Sequence, residues 1–148
     1  MSLSNILPLL LHLALLILLF WMGWQDWTTR EVSNALSIPL SMFGMCGLLL
    51  RLYLREPFAV LSLVVVVILT VVALRNWMGG ADWKVLVGLW GLWPLAGLAS
   101  ILGAGLFGAG AVLWTRNRNI TFPAICIFAI SCALTLSGEA SIMSLIKA

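Results

Sequence analysis

The stretch from Trp83 to Thr115, WKVLVGLWGLWPLAGLASILGAGLFGAGAVLWT, decides how this chain folds. Apart from Lys84 it carries no charge. As one helix it would run about 50 Å, far beyond a bilayer hydrocarbon core of about 30 Å. Pro94 is the natural division, because proline lacks the amide that a helix interior needs yet suits a first helical turn. The spacing therefore predicts a short helix from Trp83 to about Trp93 and a longer one from about Leu95 to Trp114. Polar segments bound the pair: Arg75-Asn76-Trp77-Met78-Gly79-Gly80-Ala81-Asp82 before it, and Arg116-Asn117-Arg118-Asn119 after it.

Working outward, the same punctuation marks four more apolar helices, at about Asn5–Gln25, Ala35–Leu54, Phe58–Leu74 and Ile120–Leu136. The segment Asp26-Trp27-Thr28-Thr29-Arg30-Glu31-Val32-Ser33-Asn34 breaks the first from the second, and Glu56-Pro57 breaks the second from the third. The third is rich in Val and Ile, which weaken helices in water. In lipid the backbone must satisfy its own polar groups, and a helix does so locally. Ser137-Gly138-Glu139 interrupts the apolar tail. On the longer helix, Ala96, Ser100, Ala104 and Gly108 form a face of small residues, which lets helix backbones approach in lipid.

Composition agrees with this division. Of 148 residues, 63% are hydrophobic and 9% charged, against roughly 45–50% and about 25% in soluble domains. So little charge leaves too little polar surface to face water. The expected fold is all-α: a single polytopic membrane bundle over residues 1–148, with six transmembrane helices in a lipid bilayer. The first apolar run, Ile6 to Trp24, has no basic segment before it and ends in Trp21-Met22-Gly23-Trp24, a poor cleavage site; it reads as a retained span rather than a signal peptide. A net charge of +3 does not suggest nucleic acid, since the basic residues are scattered at the ends of apolar runs. Cys46, Cys126 and Cys132 sit inside apolar stretches without zinc-ligand spacing and read as small buried hydrophobes. His12 reads as a neutral interhelical residue. Trp21, Trp24, Trp27, Trp77, Trp83 and Trp93 lie near helix ends, as an interfacial aromatic belt would.

With six spans and the N-terminus outside, the inner loops hold Arg30, Arg75, Lys84, Arg116 and Arg118, leaving Arg51, Arg55 and Lys147 outside. That follows the positive-inside tendency. Both termini are then outside, and Asp26 and Asp82 share the cytoplasmic side.

These two are the chain's only aspartates. Each stands where an apolar helix meets a polar break. An ionisable group at a membrane boundary is a functional candidate, although two loop-boundary acids, Asp26 paired with Arg30 and Asp82 favouring a helix N-terminus, would look the same. The neighbours of Asp82 tip the balance. Gly79-Gly80-Ala81 before it leaves room for backbone and a substrate strand to approach the carboxylate. Two carboxylates brought together in a low-dielectric site cannot both ionise easily, and such a pair can activate water and protonate a leaving group. That chemistry needs no metal or cofactor.

The segment Asp26 to Asn34 resembles the first aspartate motif of type IV prepilin peptidases and archaeal preflagellin peptidases, where Asp is followed by Thr-Arg and a short Ile/Val-Pro-Asn segment. Gly79-Gly80-Ala81-Asp82-Trp83-Lys84 is similar to their second motif, G-x-G-D-x-K, and Thr121-Phe122-Pro123-Ala124 to the Pro-containing start of their last helix. The resemblance spans nearly the whole chain in order and spacing. Ala81 stands in place of the second motif glycine, Ser33 where proline is usual, and Trp83 is bulkier than the common Val or Ala. Presenilin-like proteases share the second motif but precede the first Asp with Tyr, where this chain has Gln25.

The resemblance implies a membrane aspartic endopeptidase with Asp26 and Asp82 as its catalytic pair, supported by Gly79, Gly80, Lys84 and Arg30. The implied partner is a prepilin-like or preflagellin-like precursor with a short basic leader ahead of a hydrophobic helix. Larger bacterial members carry a cysteine-containing N-terminal segment and methylate the new N-terminus; this chain begins at its first helix, which implies peptidase activity alone. Arg30 either anchors the cytoplasmic loop or pairs with Asp26. Lys84 either tunes Asp82, holds an interfacial phosphate or snorkels to the headgroups. Glu31 is placed to attract a basic leader. Two other classes remain open on sequence: a small proton- or cation-coupled transporter, and a catalytically silent assembly protein.

Overall fold

The computed structural model describes residues 3–115 and 123–146. They form six helices: α1 (Leu3–Thr29), α2 (Asn34–Tyr53), α3 (Ala59–Leu74), α4 (Gly80–Leu92), α5 (Pro94–Thr115) and α6 (Ala124–Ile146). The expected order and number are present, and Pro94 opens α5 as its chemistry demands.

The ends differ from expectation in an instructive way. α1 does not stop at Gln25 but continues to Thr29, so Asp26 lies on a helix. The hydroxyls of Thr28 and Thr29 donate back to the carbonyls of Trp24 and Gln25, at 2.9 and 2.8 Å, which accommodates these polar residues within the last turn. Arg30, at φ 58°, then turns the chain out of the helix. Ser33 starts α2, its hydroxyl accepting from the Ala35 amide at 3.2 Å, a favoured N-cap arrangement. This gives a local reason for serine where the resembled motif has proline. α4 begins at Gly80 rather than Trp83, and so carries Asp82 in its first turn. α6 runs through Ser137-Gly138-Glu139 to Ile146 instead of ending at Leu136; the Ser137 hydroxyl returns to the Leu134 carbonyl at 2.8 Å. The expected start of this helix at Ile120, and the neighbouring Thr121, Phe122, Arg116 and Arg118, lie outside the described residues, as does Lys147.

α4 is the hub. Every residue from Val85 to Gly91 is buried, with α2, α3, α5 and α6 packed around it and α1 lying along α6. The closest packing is between α2 and α4. A Cβ on Gly91 would overlap the backbone of Gly44, and one on Gly88 would overlap Leu40. The small-residue face read on α5 is buried at Ala96 and Ser100. There Ser100 lies 3.7 Å from Cys132 of α6, and a Cβ on Gly103 would meet Ser131.

Leu15, Leu19, Met22, Leu48 and Ile125 fill the interior, while Ile17, Phe20, Phe43, Val60, Val67 and Leu106 are exposed. Apolar surface on that scale belongs to a protein whose outer face is not solvated by water. Three helices are long and apolar enough to cross a membrane, over Leu10–Thr29, Asn34–Tyr53 and Pro94–Thr115. α3 has 16 residues and α4 only 13. The tryptophans divide. Trp21, Trp24, Trp27 and Trp77 are exposed, but Trp93 is buried with its ring stacked on His12 at a centroid distance of 4.3 Å. Trp93 is thus a core residue rather than part of an aromatic belt.

Candidate active site

Asp26 and Asp82 come from different helices and reach the same end of the bundle. Asp26 sits in the last turn of α1, half-buried, and its Oδ2 accepts the backbone N–H of Ile125 at 3.2 Å. Ile125 is the second residue of α6, so its amide is one of those left unpaired at a helix start, where the helix dipole also favours an anion. Pro123 precedes that helix, and the chain turns into α6 immediately after it. The contact is reinforced beside it, where Cys126 donates its thiol to the Gly23 carbonyl at 2.9 Å. A Cβ on Gly23 would lie 3.2 Å from the Cys126 backbone, so glycine there lets α1 and α6 approach.

Asp82 approaches from the other side. It is half-buried and lines a cavity of about 230 Å³ with Leu69, Met78, Leu86, Ala124 and Phe128 among its walls. Ala124 adjoins Ile125, so the two acids flank the start of α6. Asp26 is near enough that the two carboxylates, when both are ionised, repel each other. Gly79 caps α4 with an extended backbone, φ −62° and ψ 142°, and a Cβ there would lie 3.0 Å from the Asp82 carboxylate oxygen. Gly80 behaves differently, with nothing within 4 Å of its own added Cβ. The neighbour that the missing Gly79 side chain admits is thus the Asp82 carboxylate itself.

The remaining expected residues are joined to the same end. Lys84 donates to the Asn34 side-chain oxygen at 2.5 Å. The last residue of each aspartate segment thereby holds the other, binding the start of α2 to α4. Arg30 closes α1, its amide donating to the Asp26 carbonyl at 3.1 Å, and its charge is felt at Cys126. Trp83, the bulky departure, gives its indole N–H to the Thr70 hydroxyl at 3.2 Å and so ties α3 to α4 next to Asp82. Gln25, Thr29, Glu31, Ser33 and Asn34 line a polar cleft of about 440 Å³ on the loop between α1 and α2. The Ser33 amide donates to the Gln25 side-chain oxygen at 3.4 Å.

Residue reading missed the Ile125 amide, because a backbone donor leaves no trace in residue type; Pro123 ahead of a helix was the available signal. Among the described residues, no three His, Cys, Asp or Glu side chains gather as a metal site would require. Two carboxylates within each other's field, one held by a helix-start amide and the other beside an apolar cavity, have the parts for general acid–base attack by water on an amide.

The family model for the type IV leader peptidase family matches residues 13–137. No curated protein and no solved structure matches the chain.

Proposed function

Because this chain belongs to the type IV leader peptidase family, we propose that it is an aspartic endopeptidase that removes the short basic leader from a prepilin-like or preflagellin-like precursor. Asp26 and Asp82 are its catalytic pair, titrating as a unit and holding one proton between them. The ionised carboxylate takes a proton from water as that water attacks the scissile carbonyl carbon. The protonated one hydrogen-bonds to the carbonyl oxygen. A proton then passes to the departing amine as the C–N bond breaks, and the pair returns to its starting state.

The observation that carries this reading is the convergence of the two acids on the start of α6, with Asp26 bonded to the Ile125 amide and Asp82 beside Ala124. A transporter or silent scaffold gives no reason for a shaped apolar cavity against one acid and a lysine–asparagine clamp beside it. In this proposal the bundle crosses the cytoplasmic membrane six times with both termini outside. Arg30, Arg75 and Lys84 then mark the cytoplasmic end, and Arg51 and Arg55 the other. α4, at about 20 Å, is shorter than the core, but its neighbours rather than lipid cover it.

The test is co-expression with a precursor carrying a basic leader and a hydrophobic helix, read as a mobility shift. Asp26→Asn and Asp82→Asn are each expected to abolish the shift while the purified proteins keep the parent's helical spectrum. Normal processing by either variant sinks the assignment.

A further inference from the structure

Two cavities of opposite character adjoin the two acids. One is the cleft of the loop between α1 and α2, about 440 Å³, walled by Gln25, Thr29, Glu31, Val32, Ser33 and Asn34. Only Val32 among them is apolar. The other is the cavity of about 230 Å³ whose walls include Leu69, Leu86, Ala104, Ala124 and Phe128. Among the described residues, Asp82 is the one ionisable side chain on that wall. Asp26 joins the two spaces. Its neighbour Gln25 is on the cleft wall, while its carboxylate holds the amide of Ile125, next to Ala124 on the cavity wall. Asn34 of the cleft is bonded to Lys84, two residues beyond Asp82. A chain laid across both acids would have one flank at the cleft and the other at the cavity.

The charged groups on these walls are open to a ligand. Glu31 is exposed and Asp82 half-buried. Neither carboxylate has a hydrogen bond or ion pair with a described residue, and neither is sealed from solvent. An exposed anion in a polar cleft suits a basic side chain and repels the phosphate of a lipid headgroup. Hydrocarbon walls suit an apolar side chain. A basic one placed there would lose its hydration, and its charge would pair with the carboxylate that the reaction needs. The precursor of the proposed reaction carries both characters, one on each side of its cut: a basic leader before it and an apolar helix after it.

Resting on that peptidase reading, we propose that the precursor crosses the acids in one direction. The leader occupies the α1–α2 cleft with a lysine or arginine against Glu31, and the first side chain after the cut enters the Asp82 cavity against Ala104. Glu31 and Ala104 are then specificity-determining residues, one for charge before the cut and one for size after it. Neither takes part in breaking the bond.

The experiment uses the full-length chain, purified in detergent, and four precursors that differ in two places. Leader lysines are kept or replaced by glutamate, and the residue directly after the cut is leucine or alanine. Initial rates over a range of precursor concentrations give KM and kcat separately. The parent is expected to favour the lysine leader. Glu31→Lys should reverse that preference by about threefold, the scale of one exposed ion pair. The change should fall in KM and fade as salt is raised. Ala104→Leu extends into the cavity and should lower the ratio of leucine-precursor to alanine-precursor cleavage about tenfold, the low end of what one methylene is worth in an apolar pocket. If Ala104→Leu does not fold, Ala104→Val replaces it. A Glu31→Lys variant that keeps the parental leader preference overturns the orientation, and so does an Ala104 variant that leaves the ratio unchanged. A parent that cuts none of the four precursors overturns the peptidase reading itself, and the orientation with it.

Discussion

Asp82 lies back against the start of its own helix because Gly79 has no side chain to stop it. A methyl group at position 79 would stand 3.0 Å from the carboxylate oxygen, closer than carbon and oxygen rest comfortably. The backbone there, at φ −62°, is one that alanine adopts freely. The conflict is thus confined to the tip of one acid, which must move by a few tenths of an ångström. Misplacing a reacting group by about 1 Å can cost about 100-fold in rate, so Gly79→Ala is expected to lower the cleavage rate by about tenfold while leaving the melting temperature nearly unchanged. Gly80→Ala meets nothing within 4 Å and has no left-handed backbone to strain. It should cleave at the parental rate and gain about 0.4–1 kcal/mol of stability. Comparing initial rates and melts of the two purified variants checks this, and equal rates would show that the Gly79 contact has no bearing on the chemistry.

Among elements, the glycines matter through the α2–α4 contact. Gly44 and Gly91 bring two backbones together so closely that a single added methyl on Gly91 overlaps the Gly44 carbonyl. Backbone cannot turn aside as a side-chain tip can, so Gly91→Ala must push the helices apart. Overpacking costs about 1–3 kcal/mol, and the variant should melt correspondingly lower in detergent. It should also lose activity, because α2 holds Asn34 against Lys84 beside Asp82. Gly105→Ala, with open space around it, is the matched control: it should keep the parental activity and melt no lower than the parent. This interface was not read from the sequence, which drew attention to the small face of α5. The signal was present in Gly44 with Gly47 and Gly88 with Gly91, three residues apart on two helices, but nothing in one chain says which small faces meet. The number and order of helices were legible because lipid tolerates only long apolar runs punctuated by polar breaks. The helix ends were not: Thr28 and Thr29 look like loop residues until their hydroxyls are seen bonded to the preceding turn. Both acids were legible as boundary charges, but their convergence depends on the Ile125 amide, which no residue type announces.

For the molecule as a whole, the decisive relation is between the bundle and the thickness of its membrane. α3 has 16 residues, hence a length of about 24 Å, and polar groups pin both its ends, Arg55 and Glu56 before it and Arg75 and Asn76 after it. Its outer face, with Val60, Val64, Val67 and Ile68 exposed, is the one lipid would touch if the bundle spans as proposed. A bilayer core of about 30 Å must then thin around α3, or draw those polar groups inward, at a cost of a fraction of a kcal/mol per ångström. The strain would not stay local. Thr70 on α3 accepts the indole N–H of Trp83, the residue after Asp82, so a shift of α3 bears directly on the end of the bundle that carries Asp82. Cleavage rate and melting temperature should therefore both be highest in proteoliposomes of short-chain lipid and fall as the acyl chains lengthen. Measuring the two across a series of chain lengths, at fixed headgroup, checks this. Rates and melts that stay level across the series would mean that α3 does not face the bilayer along its length, and the six-span arrangement would have to be redrawn around it.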